Sequence, residues 1–211
     1  MTELITRTRI QPPRLRPDIL SRDRLLRAFS DLLYAKLALV VAPAGYGKTL
    51  ALVDLIHQVE MPVCWYSLGP ADHESHRFIG HFVAAIARQF TQAGNETQAA
   101  VQSLAAGNGT LEQVVTTLVN ELNAHVRSDF LFVLDDYHLA GDNPDVNLFV
   151  SLFAQQVDDH CHLVVASRTL LNLPDLALMV ARGQVAGLDL EALAFRADEL
   201  QALARRNFGV E

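Results

Sequence analysis

A three-layer α/β fold, a mainly parallel sheet with helices on both faces, is what this sequence predicts, on three observations. Short apolar runs recur without a polar interruption, at Leu37 to Ala42, Phe130 to Leu134 and Leu163 to Ala166. Such runs belong to strands buried on both faces. Stretches with apolar residues at helical spacing separate them. Strand and helix alternating in this way call for crossover connections, and so for parallel neighbours.

Taken in order, residues 1–20 read as an irregular arm. Pro12, Pro13 and Pro17 forbid a continuous helix, and Arg7, Arg9, Arg14 and Arg16 keep the segment solvated. Ser21 stands where an N-cap belongs, ahead of a helical face made by Leu25, Leu26, Phe29, Leu32 and Leu33. After the first strand and a glycine-bearing loop, a helix runs through Ala51, Leu52, Leu55, Ile56 and Val59 and stops before Pro62. Val63 to Ser67, with Trp65 and Tyr66, is rich in strand formers. The next helix opens at Ser75, buries Phe78, Ile79, Phe82, Val83, Ile86 and Phe90, and is stopped by Gly94-Asn95.

A polar, alanine-rich piece leads to the break Gly107-Asn108-Gly109. Thr110 with Gln113 then makes a capping box for a helix bearing Leu111, Val114, Val115, Leu118, Val119 and Leu122. Past the FLFVL strand, Asn143-Pro144 is an N-cap and first-turn pair for a helix with Phe149, Leu152, Phe153 and Val157. Beyond the strand at Leu163 to Ala166 the pattern weakens to a short helix near 175–182, a strand near 184–190 and a helix over 197–207. The expected division is an arm over 1–20, one domain over 21–190, and over 191–211 the start of a following helical segment.

With 211 residues, half of them hydrophobic, the chain can bury one substantial core. The formal net charge of -7 provides no global field for nucleic acid, so DNA binding by this chain alone is not expected. Cys64 and Cys161 lie in or beside apolar runs and read as buried free thiols suited to a reducing cytoplasm. No secretory signal follows Arg7 and Arg9, and no apolar run is long enough to cross a membrane. A soluble, cytoplasmic protein without membrane contact is the expectation.

The chemistry gathers where strands end. The stretch LALVVAPAGYGKTL, from Leu37 to Leu50, passes from strand through Gly45 and Gly47 into Lys48-Thr49 at a helix start. This is the spacing of the phosphate-binding loop G-x-x-x-x-G-K-[ST], with Ala42 in place of the first glycine. Backbone N–H groups across Ala44, Gly45, Tyr46, Gly47, Lys48, Thr49 and Leu50 would cradle phosphate oxygens. Lys48 would reach the β- and γ-phosphates, and the Thr49 hydroxyl would sit on Mg²⁺. An ordinary glycine turn with a surface lysine shares these residues but does not require the strand and helix that flank them. The predicted fold is therefore that of a P-loop NTPase.

FLFVLDD is an apolar strand ending in acid. Asp135 would hold Mg²⁺ through water, and Asp136 is placed to polarise an attacking water. Without the loop upstream, the same pair would read as a charged strand end facing solvent. Arg168, after the strand at Leu163 to Ala166, would sense or stabilise γ-phosphate charge; its alternative is a surface ion pair. Eight histidines invite a zinc reading. No Cys pair accompanies them, and neighbours on a strand point to opposite faces, so they read as surface and core residues.

The segments PPRLRPDILSRDRLL, VAPAGYGKT, VCWYSL with Arg77-Phe78, FLFVLDDYHL, LVVASR followed by LP, and RGQVAGLDLEALAF carry a resemblance that runs through nearly the whole chain. It is to the nucleotide-binding domain of MalT-like regulators, large LuxR-type bacterial transcription activators in the STAND class of P-loop ATPases. The resemblance implies that Ile19, Leu20, Ser21 and Arg22 cup adenine, although related ATPases commonly have Gly where Ser21 stands. It implies ATP/ADP with Mg²⁺ as ligands and possible nucleotide-dependent self-association. The remaining partners would be a winged-helix segment, a helical-repeat sensor and a DNA-binding helix-turn-helix, none of which this sequence contains. Two departures stand out: Gly69 where family members commonly show an acid, and Arg196 where a Thr cap is usual.

The function this implies is an ATP/ADP switch module with weak ATPase activity, in which Lys48, Asp136 and Arg168 act on the phosphates. A free-standing P-loop NTPase or kinase is the alternative. A kinase would need a basic lid, and no compact arginine cluster follows the loop.

Overall fold

The computed structural model of the chain describes residues 5–15 and 19–208, so Arg16 and Pro17 of the arm and residues 209–211 lie outside the described residues. The strands are β1 (Leu37–Val41), β2 (Val63–Ser67), β3 (Phe130–Asp135), β4 (Cys161–Ser167) and β5 (Val185–Leu188). They form one sheet in the order β2-β3-β4-β1-β5, and every pairing is parallel. β4 is thus interposed between the strand that feeds the glycine loop and the strand that ends in acid.

Strict alternation sends neighbouring side chains to opposite sides. Leu37 and Leu39, Phe130, Phe132 and Leu134, and Leu163 and Val165 enter one buried cluster. That cluster is covered by α3 (Ser75–Gln89), α4 (Asn95–Ala105), α5 (Leu111–His125), α6 (Pro144–Gln156) and α7 (Leu176–Ala181). Ala38 and Val40, Leu131 and Val133, and Val164 and Ala166 face the other cluster, under α1 (Asp23–Leu32), α2 (Lys48–Ile56) and α8 (Leu190–Leu193). α9 (Ala197–Phe208) closes the described chain. Phe82 is the hub of the first cluster, edge-on to Phe149 at 5.0 Å and to Phe153 at 4.9 Å.

The caps at Thr110 and Asn143 form as expected. Gln113 and Thr110 exchange bonds, and Asn143 Oδ1 accepts from the N–H groups of Asp145 and Val146, a cap worth about 1 kcal/mol. Four details differ from expectation. Ser21 does not cap α1: Arg22 occupies the N-cap without a side-chain bond, and Ser21 Oγ instead donates to Asp54 Oδ2 at 2.7 Å. Gly94-Asn95 does not end α3, which stops at Gln89 with Phe90 as its C-cap; Gly94, at φ 100°, is instead the N-cap of α4, which runs across the alanine-rich piece. The carboxylate of Glu121 on α5 accepts the Glu96 and Thr97 N–H groups there, so the anion at the α4 N-terminus comes from a distant part of the chain. α8 was not anticipated.

The arm, finally, is not simply solvated. Ile10 is buried in the first cluster, and Arg9 reaches the fully buried Asp72 at 2.6 Å. The same Asp72 oxygen accepts the Gly69 N–H. A Cβ on Gly69 would fall 2.3 to 2.5 Å from the Arg9 guanidinium, so a glycine stands there because an arginine fills the space. The Thr6 N–H donates to His81 Nε2, fixing the arm a second time.

Candidate functional site

Parallel strands place their connecting loops, and so their chemistry, beyond the carboxyl ends. β1 stops at Val41, and the loop turns through left-handed Gly45 (φ 89°) and Gly47 (φ 73°) before α2 begins at Lys48. Gly47 is the helix N-cap, and its conformation is one that a side chain would strain. Ala42, at the departure from the glycine spacing, is buried and accepts Lys48 Nζ at its carbonyl, 2.6 Å away. Pro43 O accepts the same ammonium at 3.1 Å. Lys48 is therefore folded back onto its own loop. Desolvation lowers its basicity, while Asp136 and Asp135 act against that and Arg168 adds to it.

The acid pair is asymmetric. Asp135 is buried, with Oδ2 accepting from Thr49 Oγ1 at 2.8 Å and Oδ1 from the Asp136 N–H at 3.0 Å. Burial pushes its carboxyl up to about 6 against these bonds, and neighbouring Asp136 adds to the rise. Asp136 is half-buried and sits at φ 57°, a left-handed conformation uncommon outside glycine. That twist ends β3 and starts a 3-10 turn over Tyr137–Leu139. Tyr137 is anchored by its hydroxyl to Asn147 Oδ1 at 2.8 Å.

Arg168 follows β4 and is exposed, and it makes no hydrogen bond or ion pair with the described residues. It lies close enough to influence both Lys48 and His138. Lys48, Thr49, Asp135, Asp136 and Arg168 thus form one cluster at the strand ends, as their spacing implied.

A hydroxyl bonded to a carboxylate is a hard-oxygen pair suited to Mg²⁺, and a carboxyl held near 6 is one that a cation would return to its charged form. No group of three or more His, Cys, Asp or Glu able to hold a metal occurs among the described residues. The remaining ligands would have to be phosphate and water oxygens, as in magnesium–nucleotide sites.

Beside the loop lies a cavity of about 220 Å³, whose lining includes Ile19, Leu20, Arg22, Gly47, Leu50 and Phe195. Gly45, Asp54 and Leu203 also line it. Of the four residues expected around adenine, Ser21 alone is absent from this wall, its hydroxyl being engaged with Asp54. Arg22 is buried, donates to Leu193 O at 2.7 Å and lies 4.6 Å over the Phe195 ring. Arg24 holds Glu199 through two bonds, of 2.8 and 2.9 Å, and also binds the carbonyls of Ala192 and Ala194. These arginines draw α8 and α9 onto α1.

Phe195 and Leu203 escaped the sequence reading because no spacing rule connects α1 with a helix some 170 positions later. His138 escaped it as well. Its signals were its place two residues past the acid pair and its presence in the FLFVLDDYHL segment.

The sheet order, the glycine loop and the acid strand define an ATPase-type module with a P-loop fold. By sequence, the chain is homologous to a segment of the HTH-type transcriptional regulator MalT: it is 35% identical to that of Cronobacter sakazakii over 191 residues, 90% of this chain and 20% of that protein. It spans about one fifth of the length of the curated relatives it matches. No protein-family model matches it. Among solved structures it resembles the Walker-type ATPase of Pyrococcus abyssi, with TM-score 0.56 and 14% identity, covering 94% of this chain and 61% of that one. It also resembles a signal transduction ATPase with numerous domains and a tetratricopeptide repeat sensor from Pyrococcus horikoshii. There the TM-score is 0.53 and the identity 12%, covering 94% of this chain and 26% of that one. At these identities the likeness is one of fold.

Proposed function

We propose that this chain is an adenine-nucleotide switch module of a MalT-like transcriptional regulator, binding ATP or ADP with Mg²⁺ and hydrolysing ATP slowly. The observation that carries the reading is the 2.8 Å bond between Thr49 and buried Asp135, which joins the glycine loop to the acid strand across 86 positions. Lys48 exchanges the carbonyls of Ala42 and Pro43 for phosphate oxygens. Thr49 and Asp135 hold the cation, whose chemistry is to neutralise charge on the phosphates. Asp136 orients and polarises water, and exposed Arg168 reads the terminal phosphate. Ile19, Leu20 and Arg22 take the base in the adjoining cavity.

The domain boundary we propose lies beyond the 21–190 division, because Phe195, between α8 and α9, and Leu203 of α9 line that cavity. The partners would be the sensor and DNA-binding parts of a full-length regulator, with self-association governed by the nucleotide. DNA binding is not a property we assign to this chain alone.

Nucleotide released from the purified protein, separated by chromatography, identifies the ligand. Isothermal titration of Lys48→Ala then tests the loop: ATP affinity should fall at least tenfold with the fold intact, as loss of a charge-assisted phosphate contact requires. Unchanged ATP affinity would refute the reading.

A further inference from the structure

His138 is anomalous in this site. Both ring nitrogens are buried, and neither has a hydrogen-bond partner among the described residues. Buried imidazole nitrogens normally find partners, and an orphan calls for an explanation. A core histidine in the same protein shows the ordinary case: His81 accepts from the Thr6 N–H at 3.1 Å and pairs with Arg77 O at 2.9 Å.

The surroundings of His138 are those of the phosphate cluster. Its Nδ1 edge lies 3.9 Å from Asp136 Oδ1, a charge contact too long for a hydrogen bond. Burial keeps the ring less basic than usual; Arg168 and, more weakly, Lys48 add to this, and Asp136 opposes it. The ring is carried on the 3-10 turn that follows left-handed Asp136, and that turn packs against β4, the strand that Arg168 follows. His138 thus borders Asp136, within electrostatic reach of Arg168 and Lys48, with two unused polar atoms.

We propose that His138 is a terminal-phosphate contact, a hydrogen-bond donor that distinguishes ATP from ADP. This rests on the nucleotide reading above and adds a residue to it. With a γ-phosphoryl group held between Lys48 and Arg168, the one N–H of the neutral ring would face an anionic phosphoryl oxygen. An α,β-diphosphate offers no such acceptor, so ADP leaves the ring as it is.

The test is titration of ATP and ADP, with Mg²⁺, into the wild-type protein, His138→Ala and His138→Gln. His138→Ala should lose about tenfold in ATP affinity while ADP affinity stays within about twofold, the scale of one hydrogen bond to a charged group. His138→Gln, whose amide N–H replaces the ring donor, should recover most of the ATP affinity. Equal losses for both nucleotides, unchanged ATP affinity in His138→Ala, or no recovery in His138→Gln would overturn the assignment of His138. Failure of the wild-type protein to bind either nucleotide would overturn the underlying reading, and this one with it.

Discussion

Asp135 and Asp136 are neighbours in sequence with opposite environments, and their substitution should separate two steps. Asp136→Asn is expected to retain Mg·ATP binding and lose most turnover, on the order of 10²-fold, because the group that polarises water is removed while the cation ligand remains. Asp135→Asn should weaken Mg·ATP binding itself. Parallel titrations and steady-state phosphate release check both, and equal loss of binding in the two variants would mean the roles are wrongly divided. A pH dependence follows from the same burial. The Asp135 carboxyl is raised to about 6 in the folded protein from 3.8, so the folded state holds a proton that the unfolded chain has released. That proton's contribution is complete below the unfolded value and is lost as pH climbs through about 6. Metal-free protein should lose on the order of 2 to 3 kcal/mol between pH 4 and pH 7 from this group, and Asp135→Asn should flatten that part of the profile. Chemical denaturation across pH without Mg²⁺ measures it.

The elements divide into those whose cause is local and those whose cause is remote. β1, β3 and β4, the glycine loop, and the capped helices α5 and α6 are legible because apolar runs, turn residues and caps sit next to one another in sequence. The cluster of Lys48, Thr49, Asp135, Asp136 and Arg168 is legible for a related reason, since each follows the carboxyl end of a strand. α4 is not, because its N-terminal anion is Glu121 on another helix. Ser21 looks like a cap until Asp54, near the end of α2, takes its hydroxyl. The attachment of α8 and α9 is equally hidden, since it depends on Arg22 and Arg24 meeting carbonyls and Glu199 far along the chain. Arg24→Ala should therefore release that end of the molecule, costing about 2 kcal/mol through the lost part-buried bonds. Hydrogen exchange should accelerate over 190–208, and adenine-nucleotide affinity should fall because Phe195 and Leu203 line the cavity. Unaltered exchange there would show that the arginine does not hold the helices.

For the whole molecule, the expectation is a binder that turns over slowly. Phosphoryl transfer depends on positioned charge and excluded water, and a cation supplied from a lid or a neighbour is worth roughly 10³–10⁵ in rate. Here Arg168 is the exposed cation of the site and the cavity is open to solvent. Hydrolysis well below one turnover per second, with no shift of DNA at physiological salt, is the expected behaviour of this chain as a monomer. Several turnovers per second would point to a self-sufficient NTPase instead. The contact between Arg9 and Gly69 bears on how such a molecule can change over generations. A side chain introduced at position 69 evicts the guanidinium and strands the buried charge of Asp72, so an acid there is a poor first step. If Arg9 is lost beforehand, the space is empty when position 69 changes, but Asp72 has already lost the same partner. The two positions are epistatic, because whichever changes first removes the Arg9–Asp72 contact and the second change then meets no clash.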